Sequence, residues 1–147
     1  MSQELFTLGI IFSPNLESIY LIRKATPLYQ RGRLNGVGGK VLPGETYEAN
    51  MARKGLEEVG YSGEWERLGL MRWWGTIDCA LFHSVMTPGQ DAPYTRSETI
   101  ERIAVRDLPA FRGQMVPPLF FITQAALENL TVPNTDRFRM EVVVGSH

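Results

Sequence analysis

The apolar positions of this chain form short segments typical of strands and two longer segments with helical spacing. The first two segments, Leu5–Phe12 and Ser18–Lys24, flank the turn sequence Ser13-Pro14-Asn15 and predict a strand hairpin. Four later segments also predict strands, and a polar loop over Thr87–Ser97 separates the second of them from the third. These four are Trp65–Trp74, Ile77–Met86, Ile100–Val105 and Phe138–Val144.

Two segments predict helices. The first is Tyr47–Val59, where Thr46 is a suitable N-cap and Gly60 a suitable stop. One face of this helix carries Ala49, Ala52, Leu56 and Val59. The opposite face carries Lys54, Glu57 and Glu58. The second helix is predicted over Pro117–Leu130, with prolines at its start. Strands mixed with two helices predict an α/β layered domain.

Composition narrows the class of protein. The chain has 147 residues, 44% hydrophobic and 21% charged, which suits one folded domain over residues 1–144. A net charge of −1 argues against a nucleic-acid or membrane-surface binder, which would need a basic face. The single cysteine, Cys79, cannot form an internal disulfide, and no segment predicts a signal peptide or a membrane helix. We therefore expect a cytoplasmic protein, and we expect residues 145–147 to be a tag remnant.

The most informative segment is a glycine-rich loop followed by the first helix. Leu34 and Val41 rule out a phosphate loop of the G-x-x-x-x-G-K-[ST] type. What remains is a loop that leads into a helix with Glu57 and Glu58 side by side. Adjacent carboxylates repel each other, and Mg²⁺ offsets this repulsion, since it prefers oxygen ligands and binds through a few carboxylates plus substrate phosphates. A bare pair of glutamates is also typical of a solvated helix face.

The pattern of this segment resembles the Nudix hydrolases, whose motif is G-x5-E-x7-R-E-U-x-E-E-x-G-U, with U a bulky aliphatic residue. The matching positions are Gly39, Glu45, Arg53, Glu57, Glu58 and Gly60. The resemblance extends to NGVGGK before the motif and to Leu108-Pro109 and the PPLFFITQAAL segment after it. It implies a Nudix-type α/β/α sandwich with a mixed β-sheet.

The sequence departs from the motif at three positions. Lys54 stands where the family has a glutamate that is usually a metal ligand, and Gly55 and Tyr61 replace aliphatic residues. A protonated lysine cannot ligate Mg²⁺, but its ammonium could contact a phosphate. The loss of a positioned general base typically costs about 10²–10⁴ in rate.

The resemblance also implies roles for single residues. Glu57 and Glu58, the Gly38 carbonyl and Glu98 would hold Mg²⁺, or Mn²⁺ in its place, with Glu101 as the substitute for Glu98. Arg53 would anchor the glycine loop through Glu45, and it completes the predicted catalytic group of Glu57, Glu58, Arg53 and Glu98. The predicted substrate contacts are Arg23, Asn35, Lys40, Lys54 and Trp74. Trp73 and Trp74 are neighbours on a predicted strand and should face opposite sides.

Two functions remain open. The first is a pyrophosphohydrolase that cleaves a nucleoside diphosphate derivative, preferably a modified nucleoside triphosphate, to monophosphate and pyrophosphate. The second is a catalytically impaired module that binds or senses a nucleotide. The Asn35–Val41 run is similar to the subfamily that acts on oxidised purine nucleotides, but Met115-Val116-Pro117-Pro118 lacks its acidic pair. The expected partner is a small-molecule nucleotide, with no nucleic acid or membrane, and a homodimer stays open.

Overall fold

The sheet is the framework of the molecule. The computed structural model describes residues 3–145, so Ser146 and His147 of the predicted tag remnant lie outside the described residues. The strands are β1 Glu4–Phe12, β2 Ser18–Arg23, β3 Leu34–Asn35, β4 Glu66–Trp73, β5 Ile77–Val85, β6 Thr99–Ala104 and β7 Met140–Val144. The helices are α1 Tyr47–Val59, α2 Leu108–Phe111 and α3 Leu119–Thr131.

The seven strands form one mixed sheet. Their order is β3-β2-β1-β5-β4-β7, and β6 pairs with β2. Strand β1 runs parallel to β5 from Glu4↔Ile77 to Phe12↔Val85, and β4 runs parallel to β7. The other pairings are antiparallel, among them the β1–β2 hairpin, which confirms the prediction from the turn sequence.

One helix covers each face of the sheet. Met51 and Val59 of α1 pack in one buried cluster with Ile11 and Phe82 of the sheet. The other face packs against α3 in a second cluster. Alternate residues of a strand point to opposite faces, so neighbours such as Ile10 and Ile11 belong to different clusters. This arrangement is the predicted α/β/α sandwich.

The buried face of α1 differs from the apolar face that helical spacing suggested. Of the predicted face, Ala49, Ala52 and Leu56 are exposed, Leu56 by 60%, and only Val59 is buried. The buried residues are Asn50, Met51, Gly55 and Val59. Gly55 fits closely here, since a Cβ would lie 3.2 Å from both the Trp65 ring and the Tyr61 carbonyl oxygen. Close packing against Trp65, whose ring also meets that of Tyr61 edge-on, thus favours a small residue at position 55.

The remaining boundaries lie close to the predictions. Helix α1 has the predicted bounds, with the Thr46 hydroxyl accepting from the Ala49 N–H at 3.1 Å and Gly60 in a left-handed conformation. The second predicted helix begins at Leu119, after the proline pair. Strand β3 lies at the start of the predicted glycine-rich loop. No helix in residues 3–145 is long and apolar enough to cross a membrane.

Candidate functional site

The glycine loop is held against strand β1. The backbone N–H of Gly9 donates to Val37 at 2.6 Å, and that of Thr7 donates to Gly39 at 3.0 Å. Between them, Gly38 approaches the sheet so closely that a Cβ would overlap the Thr7 carbonyl. Because only glycine fits there, the loop can lie flat on the strand and keep its backbone groups near the site.

Asn50 of helix α1 ties three segments together, although sequence analysis did not identify it. Its side-chain amide donates to the Lys40 carbonyl and to Glu45, both at 2.9 Å, and its Oδ1 accepts from the Thr7 hydroxyl. Asn50 is fully buried, and an asparagine among apolar helix neighbours was the available signal. These bonds fix the helix to both the loop and the sheet.

Arg53 links the loop to the glutamates of the helix. Its Nε donates to Glu45 at 2.7 Å, and its Nη1 donates to Glu57 at 3.0 Å. The Arg53 guanidinium is the main reason that the pKa of Glu45 falls to about 2, and the bonds from Asn50 and Leu42 add to the effect. The predicted anchoring contact between Arg53 and Glu45 is therefore present.

A polar cavity of about 570 Å³ lies beside the C-terminal half of α1. The cavity brings together three of the predicted metal ligands, Glu57, Glu58 and Glu98, and adds Lys24. The loop before β6 forms its other wall, through Tyr94, Thr95, Arg96 and Ser97. The long polar loop predicted from the sequence thus contributes directly to the site.

Glu58 is the most buried of these carboxylates. Its Oε1 accepts from the Gly38 N–H at 3.2 Å, which joins helix α1 to the glycine loop. Burial raises the pKa of Glu58, while the Gly38 N–H and the charges of Lys54 and Lys24 oppose the shift. Two ammonium groups are thus close enough to stabilise the ionised Glu58.

Both carboxylate oxygens of Glu98 accept hydrogen bonds. One carboxylate oxygen accepts from Lys24 Nζ at 3.2 Å, and the other accepts from the backbone N–H groups of Ala25 at 2.6 Å and Thr26 at 3.4 Å. Burial opposes ionisation of Glu98, but these donors outweigh it and hold its pKa below the ordinary value. Glu98 therefore positions Lys24 and the end of β2 in this arrangement.

The donor set can hold a divalent cation together with phosphate oxygens. No group of three His, Cys, Asp or Glu side chains in the described part of the chain is close enough together to hold a metal. Mg²⁺ is commonly bound by one or two carboxylates plus substrate phosphates, and Glu57 and Glu58 supply such a pair. The Gly38 carbonyl accepts no backbone hydrogen bond from residues 3–145. The glutamate pair suits a cation that shares its ligands with phosphate.

An apolar cavity of about 530 Å³ lies on the other side of the glycine loop. Gly38, Gly39 and Asn35 form one edge of this cavity, and Lys24 lines both cavities. Its apolar walls come from β1, β4, β5 and the segment before α3, and they include Phe6, Leu8, Met71, Val116, Pro118 and Ile122. Few polar side chains line this cavity. Asn35 is one of them, and its Nδ2 donates to Gln30 at 3.2 Å.

Trp73 and Trp74 both line this apolar cavity, contrary to the expectation that they face opposite sides. The alternation ends because Trp74 has φ +51° and Gly75 has φ +72°, which forms a tight turn between β4 and β5. A left-handed conformation is uncommon for a bulky residue and is a form of backbone strain. Trp74 is nevertheless 55% exposed, so packing alone does not explain its presence at the mouth of the cavity.

Three of the predicted substrate contacts line neither cavity. Arg23 donates to Glu101 at 2.5 and 2.9 Å and to the Gly32 carbonyl, so it joins β2 to β6. Lys40 is exposed and lies 3.6 Å from Glu4. Lys54 runs against Gly39, where an added Cβ would lie 3.0 Å from its Nζ.

Solved structures share this architecture. The NUDIX domain of Shewanella oneidensis NrtR, in complex with ADP ribose, has a TM-score of 0.75 and 16% identity over 89% of this chain and 90% of its own. The MutT protein from Methanosarcina mazei Go1 has a TM-score of 0.68 and 17% identity over 90% and 97%. A NUDIX hydrolase from Nitrosomonas europaea has a TM-score of 0.68 and 17% identity over 91% and 95%. The chain has the Nudix fold.

The sequence alone gives a weaker signal. No protein-family model matches the chain, and no curated protein matches it. The fold implied by the motif resemblance is nevertheless confirmed, because the architecture extends over nearly the whole chain. Within this Nudix fold, Lys24 and Asn50 are residues of the candidate site that sequence analysis missed. A lysine that ends a strand carried no distinguishing pattern, since its partner Glu98 lies far along the chain.

Proposed function

We propose that this chain hydrolyses a phosphoric anhydride bond of a nucleoside diphosphate derivative in the presence of Mg²⁺, with Mn²⁺ as a substitute. The preferred substrate is a nucleoside triphosphate, which water cleaves to a monophosphate and pyrophosphate. One observation carries the proposal: the polar cavity lined by Glu57, Glu58 and Glu98 meets the apolar cavity at Lys24. A nucleoside and its phosphates need two such compartments in contact.

The apolar cavity suits the base. Its walls are mostly aliphatic and aromatic, and Trp74 at its mouth can stack on a base, which is worth about 1–3 kcal/mol. The side chains of Asn35 and Gln30 offer amide groups for hydrogen bonds to the base edge. The NrtR domain with bound ADP ribose shows that one protein of this fold binds a nucleoside diphosphate derivative, which supports this class of ligand.

The polar cavity suits the phosphates. Glu57 and Glu58 would hold the metal ion together with phosphate oxygens, and Arg53 keeps Glu57 in place through a 3.0 Å hydrogen bond. When bound, Mg²⁺ supplies neutralisation of phosphate charge and a water of lowered pKa. Lys24 contributes a positive charge where the two cavities meet, and Glu98 holds its ammonium there.

A product-release screen tests this function. Nucleoside di- and triphosphates are incubated with the protein and Mg²⁺ or Mn²⁺, and the products are separated by chromatography. Glu57→Gln should lower the rate by about 10²–10⁴, the usual effect of losing a charged catalytic group. The matched control is Glu48→Gln, since Glu48 belongs to the same helix but pairs with Arg67 and lines neither cavity. Full activity of Glu57→Gln, or no product from any nucleotide, contradicts the proposal.

A second candidate function is nucleotide binding without turnover. Two observations favour it: a lysine stands at position 54, and Glu98 is occupied by three donors. In that case nucleotides should bind to the wild-type protein with measurable affinity while the products stay at background. Lys54→Glu would then raise metal-dependent turnover by orders of magnitude, whereas an ordinary wild-type rate excludes this function.

A further inference from the structure

Two lysines, Lys24 and Lys54, lie near Glu58, the carboxylate that joins helix α1 to the glycine loop. Lys24 lines both cavities, and its side chain is only 16% exposed. The Lys54 side chain runs along Gly39, with Cε and Nζ at 2.7 and 3.0 Å from where a Cβ would lie. The charges of both lysines act on Glu58, which accepts a hydrogen bond from the Gly38 N–H, so both ammonium groups lie near this part of the loop.

The charges of these lysines are balanced differently. Lys24 has a close counter-ion in Glu98, at 3.2 Å. Lys54 forms no ion pair or hydrogen bond with any described residue, although its charge acts on Glu58. An ammonium in a half-buried position loses hydration and gains from an anionic partner. The arrangement therefore leaves one cation available to an anion that arrives from outside.

We propose that Lys24 and Lys54 together form a phosphate-binding site that holds the diphosphate group of the ligand without a metal ion. The inference rests on the proposed function for the identity of the ligand, a nucleoside diphosphate derivative. It goes further because it assigns the binding of the negatively charged diphosphate to two side chains of the protein. The metal ion is then needed for hydrolysis and not for binding.

The glycine loop makes this assignment geometrically reasonable. A Cβ at position 39 would lie 2.7 Å from Lys54 Cε and 3.0 Å from its Nζ, so glycine leaves room for the end of the lysine side chain against the backbone of the loop. Lys24 reaches the loop from the end of β2, where the N–H groups of Ala25 and Thr26 hold its counter-ion Glu98. Lysine acts as a point charge toward phosphate and needs no fixed bidentate geometry.

The test uses imidodiphosphate, an inorganic diphosphate analogue whose P–N–P bridge resists hydrolysis. Its affinity for the full chain is measured by calorimetry in excess EDTA and again in Mg²⁺. We expect binding in EDTA, and Lys24→Met and Lys54→Met should each weaken it by about 10–100-fold, the effect of one charged hydrogen bond. Lys54→Arg should keep most of the affinity, because it keeps the charge.

The matched control is Arg106→Met, which removes one positive charge at an exposed position that lines neither cavity. Thermal unfolding of each variant shows that it is folded. The proposal is overturned by a wild-type protein that binds imidodiphosphate only with Mg²⁺, or by lysine variants that bind as tightly as Arg106→Met. If the protein binds imidodiphosphate in EDTA but hydrolyses no nucleotide, only the proposed function is refuted. If it hydrolyses a nucleotide but binds imidodiphosphate only with Mg²⁺, only the lysine site is refuted.

Discussion

Arg53 and Glu45 form a two-point ion pair that joins helix α1 to the loop before it. Arg53 Nε donates to Glu45 Oε2 at 2.7 Å, and Nη2 donates to Oε1 at 3.2 Å. The same guanidinium also reaches Glu57 from its Nη1. One side chain therefore sets the position of the loop and of a candidate catalytic carboxylate at once.

Replacing Arg53 by glutamine should change both acid stability and activity. Glu45 has a pKa of about 2 against an ordinary 4.5, so its contribution to stability is complete above pH 4.5 and is lost as the pH falls toward 2. Arg53→Gln should raise the Glu45 pKa, observed by NMR titration, and shrink this acid-dependent part of stability. The rate should fall by about 10–100-fold through misplacement of Glu57. An unchanged Glu45 pKa would contradict the pairing.

Trp74→Asn should separate ligand binding from stability. Asparagine tolerates the left-handed conformation better than tryptophan, so the variant should unfold at the same or a higher temperature. Its affinity for nucleotide should fall by about 10–100-fold, corresponding to one lost stacking contact. Trp74→Phe is the control and should keep most of the affinity. Equal nucleotide affinity of Trp74→Asn and wild type would exclude a stacking role.

Glu98 and Glu101 offer a matched comparison, since each pairs with a basic residue of the β2 end. Glu98→Gln should release Lys24 and raise KM for the nucleotide by about tenfold, the effect of losing one charged interaction. Glu101→Gln breaks the pair with Arg23, which lines neither cavity, so it should lower the unfolding temperature and leave KM unchanged. Steady-state kinetics and thermal unfolding distinguish the two effects. A Glu98→Gln enzyme with unaltered KM would remove Lys24 from the binding site.

His83 should make the protein less stable in mild acid. Its Nε2 lies 3.1 Å from the Asn129 amide nitrogen, a contact that suits a neutral imidazole accepting a hydrogen bond. Burial lowers the pKa of His83, and the charge of Arg137 adds to this effect. Glu66, at 3.6 Å, opposes it. The unfolded chain binds the proton more tightly, so this part of stability is complete above pH 6.5 and is lost as the pH falls.

Thermal unfolding between pH 8 and pH 5 measures this effect of His83. Each kcal/mol lost lowers Tm by about 2–4 °C in a chain of this size. His83→Gln keeps a polar partner for Asn129 and should flatten the dependence on pH. A variant with the same pH profile as wild type would assign the acid sensitivity to other groups.

Much of the fold was predictable because it depends on local patterns. The turn at Ser13–Asn15, the Thr46 cap and the Gly60 stop act within a few residues, so the hairpin and the bounds of α1 followed from the sequence. The buried face of α1 was mispredicted at Ala49, Ala52 and Leu56, because the helix packs through Met51 and Val59 and brings Gly55 against Trp65, a tertiary contact that helical spacing does not show. Trp74 left its predicted strand because the hairpin needs two residues of positive φ.

The sequence by itself determined six of the seven strands and the two long helices, the fold implied by the motif, and the spacing that puts Arg53 between Glu45 and Glu57. These contacts span four to eight residues along the chain, within reach of one helix and the loop before it. The tertiary structure alone decided that Glu98 meets Lys24, 74 positions away, and that Arg23 is paired with Glu101. It also decided that two cavities meet at one lysine. Such contacts depend on which strands pair in the sheet, and the pairing of β2 with β6 is set by packing of the whole sheet rather than by local sequence.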